Sequence, residues 1–133
     1  REYLIPSLAI VTFVENACVH GLNQKDRAGL IVVSVFEEED RILIDIEDTG
    51  AGMERQLVKQ LEEDLNQPDM DKLYKSHSLG MMNAALRLKR YCGEGTRITI
   101  DSEVNIGTCV TVSFMKSELK QLSPTASGKA ERL

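Results

Sequence analysis

Four polar side chains interrupt the apolar run from Leu8 to Gly21: Thr12, Glu15, Asn16 and His20. The run predicts a buried helix that ends at Gly21. Because residues three and four apart share one face of a helix, the four side chains form a single stripe. A carboxylate buried there costs on the order of several kcal/mol unless a partner compensates. The stripe therefore predicts contact with a cation, a water or a polar ligand, or else a core helix whose polar groups bond to neighbouring backbone.

Asp48 is a second candidate, at the end of an alternating strand. Ile42, Ile44 and Ile46 share its parity, so the carboxylate is expected on the core side of the sheet. The segment Asp48-Thr49-Gly50-Ala51-Gly52 then leaves the strand, and its glycines allow the backbone to approach a ligand closely. The pattern indicates a carboxylate that is either buried and hydrogen-bonded or available to a ligand.

The elements that must position these groups follow from periodicity. An extended segment, with Ser7 as a possible helix cap, precedes the first helix. A long polar insert resembles a lid and carries a short amphipathic stripe. Thr108 is expected to point inward from the last strand. The predicted elements are strands at 30–36, 42–48, 97–102 and 108–114, the insert at 53–79, and a second helix from 78 to about 92.

The order helix, hairpin, insert, helix, hairpin predicts an α+β fold. We expect a two-layer α/β sandwich with a mixed, mostly antiparallel sheet and helices on one face. The polar stripe, Asp48, the start of the second helix and Thr108 could then converge between the layers. We place one domain at residues 1–115 and a flexible C-terminal tail at 116–133, because the tail is polar.

Composition and charge argue against some classes of function. The chain has 133 residues, is 42% apolar and carries a formal net charge of −5, which argues against a nucleic-acid surface. No apolar run approaches the length of a membrane span. Cys18, Cys92 and Cys109 lack metal-ligand spacing and are expected to be small core residues. Because the chain starts at Arg1, we expect a fragment of a longer protein.

Together these motifs resemble those of the GHKL (Bergerat-fold) ATPases, most closely the catalytic ATP-binding domain of LytS/YesM-type sensor histidine kinases. The resemblance covers roughly residues 5–114. The segment Phe13-Val14-Glu15-Asn16-Ala17 with His20-Gly21 is similar to the N box, and Asp48 to Met53 to the first glycine box. Leu79-Gly80-Met81-Met82-Asn83 resembles the second glycine box, and Gly107-Thr108 the closing strand. Four motifs in this order are far more specific than any one alone.

The resemblance implies roles for individual residues. Asp48 would accept the adenine amino group, and Thr108 would bond near the same edge. Asn16 would ligate Mg²⁺ through its amide oxygen, which suits a hard cation. Glu15 would be the catalytic residue, orienting or deprotonating the attacking group. The other implied nucleotide-binding residues are His20, Gly50, Gly52, Met53, Leu79, Gly80 and Met81.

The implied function is that of a protein-histidine kinase domain. It would bind Mg²⁺ and ATP and donate the γ-phosphate to a histidine on an upstream dimerisation domain, and thereby act indirectly on a response regulator. The full-length protein would be a membrane-anchored homodimer with this domain in the cytoplasm, touching neither membrane nor nucleic acid. Neither His20 nor His77 has the context of the acceptor, so the fragment alone is not expected to autophosphorylate.

Three positions depart from the family pattern. Val19 replaces the usual Lys before the N-box His and removes a positive charge near phosphate. Ser78 replaces a Gly of the second box, and Met81 replaces Leu. Lys72, Lys75 or His77 of the insert could supply the missing charge. The resemblance also places the family's opening strand before Arg1, which would leave a sheet edge uncovered.

Three alternatives remain open. Val19 and Ser78 favour a degenerate module with a regulatory or partner-binding role and no phosphotransfer. Another reading keeps ATP but changes the phosphate acceptor, as in the anti-sigma-factor serine kinases of the same fold. Asp48-Thr49-Gly50-Ala51 matches the signature of retroviral-type aspartic proteases, in which two such carboxylates share a proton. No later apolar-apolar-Gly-Arg segment supports the protease, and it leaves the N box unexplained.

Overall fold

The computed structural model describes residues 2–18, 29–68, 79–121 and 131–132. In these ranges the chain forms three α-helices, a four-stranded sheet and a small three-stranded sheet. In chain order the elements are β1 (Tyr3–Ile5), α1 (Ser7–Asn16), β2 (Ile31–Glu37), β3 (Arg41–Asp48), α2 (Arg55–Asn66), α3 (Leu79–Cys92), β4 (Arg97–Glu103), β5 (Gly107–Met115), a 3-10 turn (Lys116–Glu118), β6 (Lys120–Gln121) and β7 (Glu131–Arg132).

The large sheet has the order β2-β3-β5-β4, and every pairing in it is antiparallel. Its core face follows the predicted alternation, because Ile42, Ile44 and Ile46 are buried while Glu47 on the opposite face is exposed. Strand β5 contributes the fully buried Phe114 to the same face. The predicted α+β sandwich is confirmed, and among the described strands the large sheet is purely antiparallel rather than mixed.

Helix α3 packs its predicted apolar face into the core, with Leu88 and Cys92 fully buried. Met81 and Met82 are also buried, as expected of core side chains. Helix α1 lies against α3 and begins after Pro6, which occupies the N-cap position without a side-chain cap bond. The predicted cap at Ser7 is therefore wrong, since Ser7 is already the first helical residue.

Helix α1 is buried on one side only. Ala9, Ile10 and Phe13 enter the core, whereas Leu8 and Val11 are 68% and 44% exposed. The sequence predicted a helix buried almost all round, and this is wrong because α3 and the sheet cover a single face. The rest of the predicted helix, from Val19 to Gly21, lies outside the described residues.

Helix α2 begins the predicted insert and covers the β4 edge of the sheet. Asn66 bonds the backbone of Ile98 twice, accepting from its N–H at 2.8 Å and donating to its carbonyl at 2.7 Å. Glu62 accepts from the N–H of Ile100 at 2.7 Å. An edge strand leaves such groups unpaired, so α2 protects this edge as a neighbouring strand would. Residues 69–78 of the insert lie outside the described part.

The predicted tail needs correction over its first six residues. The 3-10 turn and β6 follow β5 directly, and β6 pairs with β1. Leu119 is buried, and the Lys120 amine donates to the Tyr91 carbonyl at 2.9 Å and lies 3.9 Å from the centre of its ring. Polar composition concealed this docking, because it depends on one buried leucine and a few specific bonds. The domain boundary itself stays a prediction.

The three cysteines differ in their surroundings. Burial raises the pKa of the Cys92 thiol to about 12, from an ordinary value of 9.0, which fits the predicted core role. Cys109 is half-buried, and burial also raises its pKa. The core prediction is wrong for Cys18, which is exposed because it follows the outward face of α1. No described helix is long and apolar enough to cross a membrane.

Candidate functional site

Asp48 lies at the end of β3 on the core face of the sheet, where alternation placed it, and is only 7% exposed. Its Oδ1 accepts a hydrogen bond from the N–H of Gly50 at 2.8 Å. This is the only hydrogen bond of the carboxylate within the described ranges. One oxygen is therefore held by the backbone, and Oδ2 accepts from none of the described residues, so its lone pairs are available to a ligand as far as those residues go.

Thr108 and Ser102 continue a polar row from Asp48 across the end of the sheet. Asp48 pairs with Thr108 across β3 and β5, and Thr108 pairs with Ser102 across β5 and β4. Directly paired residues point to the same face, so the three side chains stand side by side on the core face. The Thr108 and Ser102 hydroxyl oxygens are 2.7 Å apart.

Sequence reasoning missed Ser102. Its parity with Ile98 and Ile100 could have revealed it, because parity places Ser102 on the core face, one residue before the end of β4. The register that sets it beside Thr108 is a tertiary feature. A serine at a strand end is otherwise an unremarkable residue in a sequence.

Two glycines bring the loop after Asp48 against the β4–β5 turn. Gly52 has a φ of +71°, and a Cβ there would overlap the carbonyl oxygen of Glu103. Gly107 has a φ of +146°, and a Cβ there would overlap the carbonyl oxygen of Asp48. Only glycine combines these conformations with such close backbone contact. The Asn105 N–H also donates to the Ala51 carbonyl at 2.7 Å, so the loop after Asp48 and the β4–β5 turn are closely packed against each other.

The N-box side chains on α1 are more open than predicted. Glu15 is exposed, so the burial cost expected for its carboxylate does not arise. The reason is geometric, because Glu15 follows Leu8 and Val11 at helical spacing on the outward face. Asn16 is half-buried, and the Thr12 hydroxyl donates to the Leu8 carbonyl at 3.1 Å. His20 lies outside the described residues.

Gly80 lies in the first turn of α3, facing α1. A Cβ placed on it would come 3.7 Å from the Thr12 methyl group, an ordinary van der Waals contact. Gly80 is exposed and Met81 is buried, whereas Leu79 begins the helix and its side chain is not described. The N-box helix and the start of α3 are therefore adjacent, and the first-turn N–H groups of a helix favour anions.

Comparison with known proteins identifies the family. Residues 6–118 match the model of the histidine kinase-, DNA gyrase B- and HSP90-like ATPases. The chain belongs to this family. The matched range includes the N-box helix, Asp48, the first turn of α3 and Thr108. The protease alternative loses its support, because the family accounts for the Asp48 loop together with the N box.

Curated relatives confirm the resemblance to LytS-type kinases. The chain is 35% identical over 94 residues to sensor histidine kinase YpdA of Escherichia coli, a match covering 71% of this chain and 15% of that protein. It is 31% identical over 116 residues to sensor protein LytS of Bacillus anthracis, covering 87% and 19% respectively. A putative uncharacterized protein of Bacillus subtilis, YwpD, is 32% identical over 118 residues, covering 88% and 38%. The chain thus spans well under half of these relatives.

Solved structures confirm the fold. The blue-light activated histidine kinase EL346 of Erythrobacter litoralis matches 83% of this chain and 29% of its own, with a TM-score of 0.58 and 16% identity. The catalytic domain of histidine kinase ThkA, in a nucleotide-free form, matches 82% of this chain and 63% of its own, with a TM-score of 0.56 and 13% identity.

The donor groups present fit ATP, which this ATPase family implies, and the Mg²⁺ that the sequence resemblance implies. Asp48 offers one fixed and one available carboxylate oxygen at the end of the sheet. Among the described residues no three His, Cys, Asp or Glu side chains cluster as a dedicated metal site. Magnesium that accompanies ATP takes most of its ligands from phosphate and water, so one half-buried amide oxygen, that of Asn16, is a suitable protein donor.

Proposed function

We propose that this chain is the ATP-binding catalytic domain of a two-component sensor histidine kinase. It binds Mg²⁺ and ATP and donates the γ-phosphate to a histidine on a dimerisation domain outside this chain. The observation that carries the proposal is Asp48, a buried carboxylate with one oxygen fixed by the Gly50 N–H and the other available beside Thr108.

Asp48 reads the base. A carboxylate oxygen accepts the adenine amino group, and its partner oxygen cannot turn away while it accepts from Gly50. Low exposure strengthens the bond, because little water competes for the carboxylate. Thr108 stands directly across the strand pair and bonds near the same edge of the base.

The phosphate end is formed by α1 and the start of α3. Asn16 supplies an amide oxygen for Mg²⁺, and the backbone from Leu79 to Met81 offers N–H groups at a helix N-terminus. Bound Mg²⁺ supplies charge neutralisation for the phosphates. His20, Gly50, Gly52 and Met53 complete the proposed binding residues.

Glu15 acts on the phosphate acceptor. Its exposure suits this role, since an acceptor histidine carried by another domain can approach an exposed carboxylate without any uncovering step. Glu15 holds or orients the imidazole N–H while the ring attacks in line. Because the acceptor is outside the chain, the domain alone does not autophosphorylate.

The whole protein is proposed to be a homodimer anchored in the membrane, with this domain in the cytoplasm. Its phosphohistidine would serve a response regulator. Relatives that are named sensor kinases favour this function over the serine kinases of the same fold. A second candidate is a regulatory module without phosphotransfer, favoured by Val19 and Ser78, which replace a lysine and a glycine of the family motifs.

The test is calorimetric titration with a non-hydrolysable ATP analogue, with and without Mg²⁺. Asp48→Asn should abolish measurable binding, because Gly50 keeps bonding the amide oxygen and leaves the NH₂ facing the adenine amino group. Asp45→Asn is the matched control. Asp45 lies on the same strand but on the opposite face, where its Oδ1 accepts from Thr111, a bond that the amide preserves.

Magnesium-dependent binding that survives in Asp45→Asn and is lost in Asp48→Asn supports the proposal. Equal binding by both variants would remove Asp48 from the site. A folded wild-type chain that binds no analogue would favour the regulatory module.

A further inference from the structure

Ser102 makes three hydrogen bonds at the base end of the proposed site. Its Oγ accepts from the Met53 N–H at 2.9 Å and donates to the Gly107 carbonyl at 3.0 Å. The third contact is the 2.7 Å separation from Thr108 Oγ1, in which either hydroxyl could be the donor. Ser102 thus connects the exit of the Asp48 loop, the β4–β5 turn and Thr108.

A count of protons resolves the direction of the third bond. A serine hydroxyl has one proton and two lone pairs. The Gly107 carbonyl can only accept, so the Ser102 proton goes to it, and the Met53 N–H occupies one lone pair. Thr108 must then donate its own proton to the remaining lone pair of Ser102. All three capacities of Ser102 are filled.

The consequence falls on Thr108. With its proton committed to Ser102, Thr108 Oγ1 has only lone pairs left for a ligand or a bridging water. Asp48 Oδ2 beside it also accepts only, as a carboxylate does. Where both face the 6-substituent of the base, two neighbouring acceptors favour an amino group, which has two protons to donate, and disfavour a keto oxygen, which would find no donor.

We propose that Ser102 is a positioning residue that fixes Thr108 as a hydrogen-bond acceptor and so strengthens selection of 6-amino over 6-keto purine nucleotides. The inference rests on the proposed nucleotide site. It assigns Ser102 an indirect part in recognition of the base, through Thr108, in addition to the direct contact by Asp48.

The experiment compares the affinities of the full chain for ADP and IDP, which differ in their 6-substituent and in the proton on N1. Ser102→Thr retains the hydroxyl. Ser102→Val introduces a side chain of nearly the same shape as threonine but without the hydroxyl. Thr111→Val is the matched control, because it deletes a hydroxyl from the opposite face of β5, where Thr111 donates to Asp45 at 2.6 Å. Urea unfolding of each variant checks that it is folded.

We expect the ADP-to-IDP affinity ratio to fall about tenfold in Ser102→Val, since the freed Thr108 hydroxyl can donate to the keto oxygen. Ser102→Thr and Thr111→Val should keep the wild-type ratio. If Ser102 were merely structural, Ser102→Val would weaken the binding of both nucleotides equally. An unchanged affinity ratio in folded Ser102→Val would overturn this inference but not the proposed function. A wild-type chain that binds neither nucleotide would overturn the proposed function, and the inference with it.

Discussion

The two halves of the proposed site are built differently. The base end lies on the large sheet, where Asp48, Thr108 and Ser102 occupy three neighbouring strands and are held by register. The phosphate end lies on helices, where Glu15 is exposed and Asn16 is half-buried. Sheet register fixes the neighbours of a side chain, whereas a position on the side of a helix does not.

The difference in construction separates the residues proposed to recognise the base from the residue proposed to act on the phosphate acceptor. The base end has short backbone contacts through Gly52 and Gly107, so its acceptors are in place before any ligand arrives. The outward face of α1 carries Glu15 with two exposed apolar neighbours, and it can meet another domain. A rigid base end and an accessible face that carries the proposed catalytic residue suit a domain that holds its nucleotide while a separate acceptor approaches.

The largest effect is expected from Gly107→Ala. The new Cβ would overlap the Asp48 carbonyl at a positive φ, and we expect the free energy of unfolding to fall by about 3 kcal/mol. Urea denaturation measures it. Gly80→Ala is the control, because among the described residues its Cβ meets only the Thr12 methyl at 3.7 Å, and the change should stay within about 1 kcal/mol. Equal losses of stability in the two variants would mean that the base end and the phosphate end are packed equally tightly.

Asn16→Ala should weaken binding without weakening the fold. We expect the affinity for the ATP analogue in Mg²⁺ to fall about tenfold or more, with a stability change below about 0.5 kcal/mol. Titration with and without Mg²⁺ measures the metal-dependent part. Gln56→Ala removes an exposed amide from α2 and should change neither quantity. Loss of stability in Asn16→Ala would show that the phosphate end is structural after all.

Cysteine chemistry compares the core with the open end of α1. The exposed Cys18 should react with a thiol reagent at once, and Cys92 only after unfolding. Because burial raises the pKa of Cys92 to about 12, the folded state keeps its thiol neutral while the unfolded thiol ionises near 9.0. The contribution of the Cys92 thiol to the free energy of unfolding is fully present below pH 9 and is lost as pH rises towards 12.

Cys92→Ala should reduce that alkaline loss of stability, and Cys18→Ala should leave it as in the wild type. The half-buried Cys109, whose pKa burial also raises, contributes to the loss in both variants. Urea unfolding at several pH values between 8 and 11 (roughly the window that the Cys92 pKa defines) gives both slopes. Identical slopes for the two variants would assign the alkaline loss to other groups.

The smallest effect is expected from Glu15→Gln. Since the carboxylate is exposed, neutralising it should change the free energy of unfolding by less than about 0.5 kcal/mol. Thermal or urea unfolding tests this. A large stabilisation would instead indicate a carboxylate under strain or desolvation, as the sequence alone had suggested.

Much of the fold was predictable because local periodicity carries it. The alternation of Ile42, Ile44 and Ile46 placed Asp48 on the core face, and helical spacing identified the buried side of α3 through Leu88 and Cys92. The four motifs indicated the family that residues 6–118 match. Each of these inferences needs only the direction of a side chain from its own backbone.

Other features could not be predicted because they depend on partners distant in sequence. The hydrogen bond from the Ile98 N–H to Asn66 joins residues that are 32 positions apart in the sequence. Leu119 anchors a segment whose composition resembles a tail. Glu15 lies in an apolar run, yet it is exposed because no described element covers that side of α1. Periodicity says which residues share a face, but not whether another element packs against it.

The sequence by itself determined the element order, the core face of the sheet and the identity of Asp48, Thr108 and Asn16 as candidate ligands. Only the tertiary structure decided that Ser102 stands beside Thr108, and that Gly52 and Gly107 are needed for backbone contact. The physical reason is that side-chain direction follows from local backbone geometry, whereas strand register and the close approach of two loops are set by long-range packing.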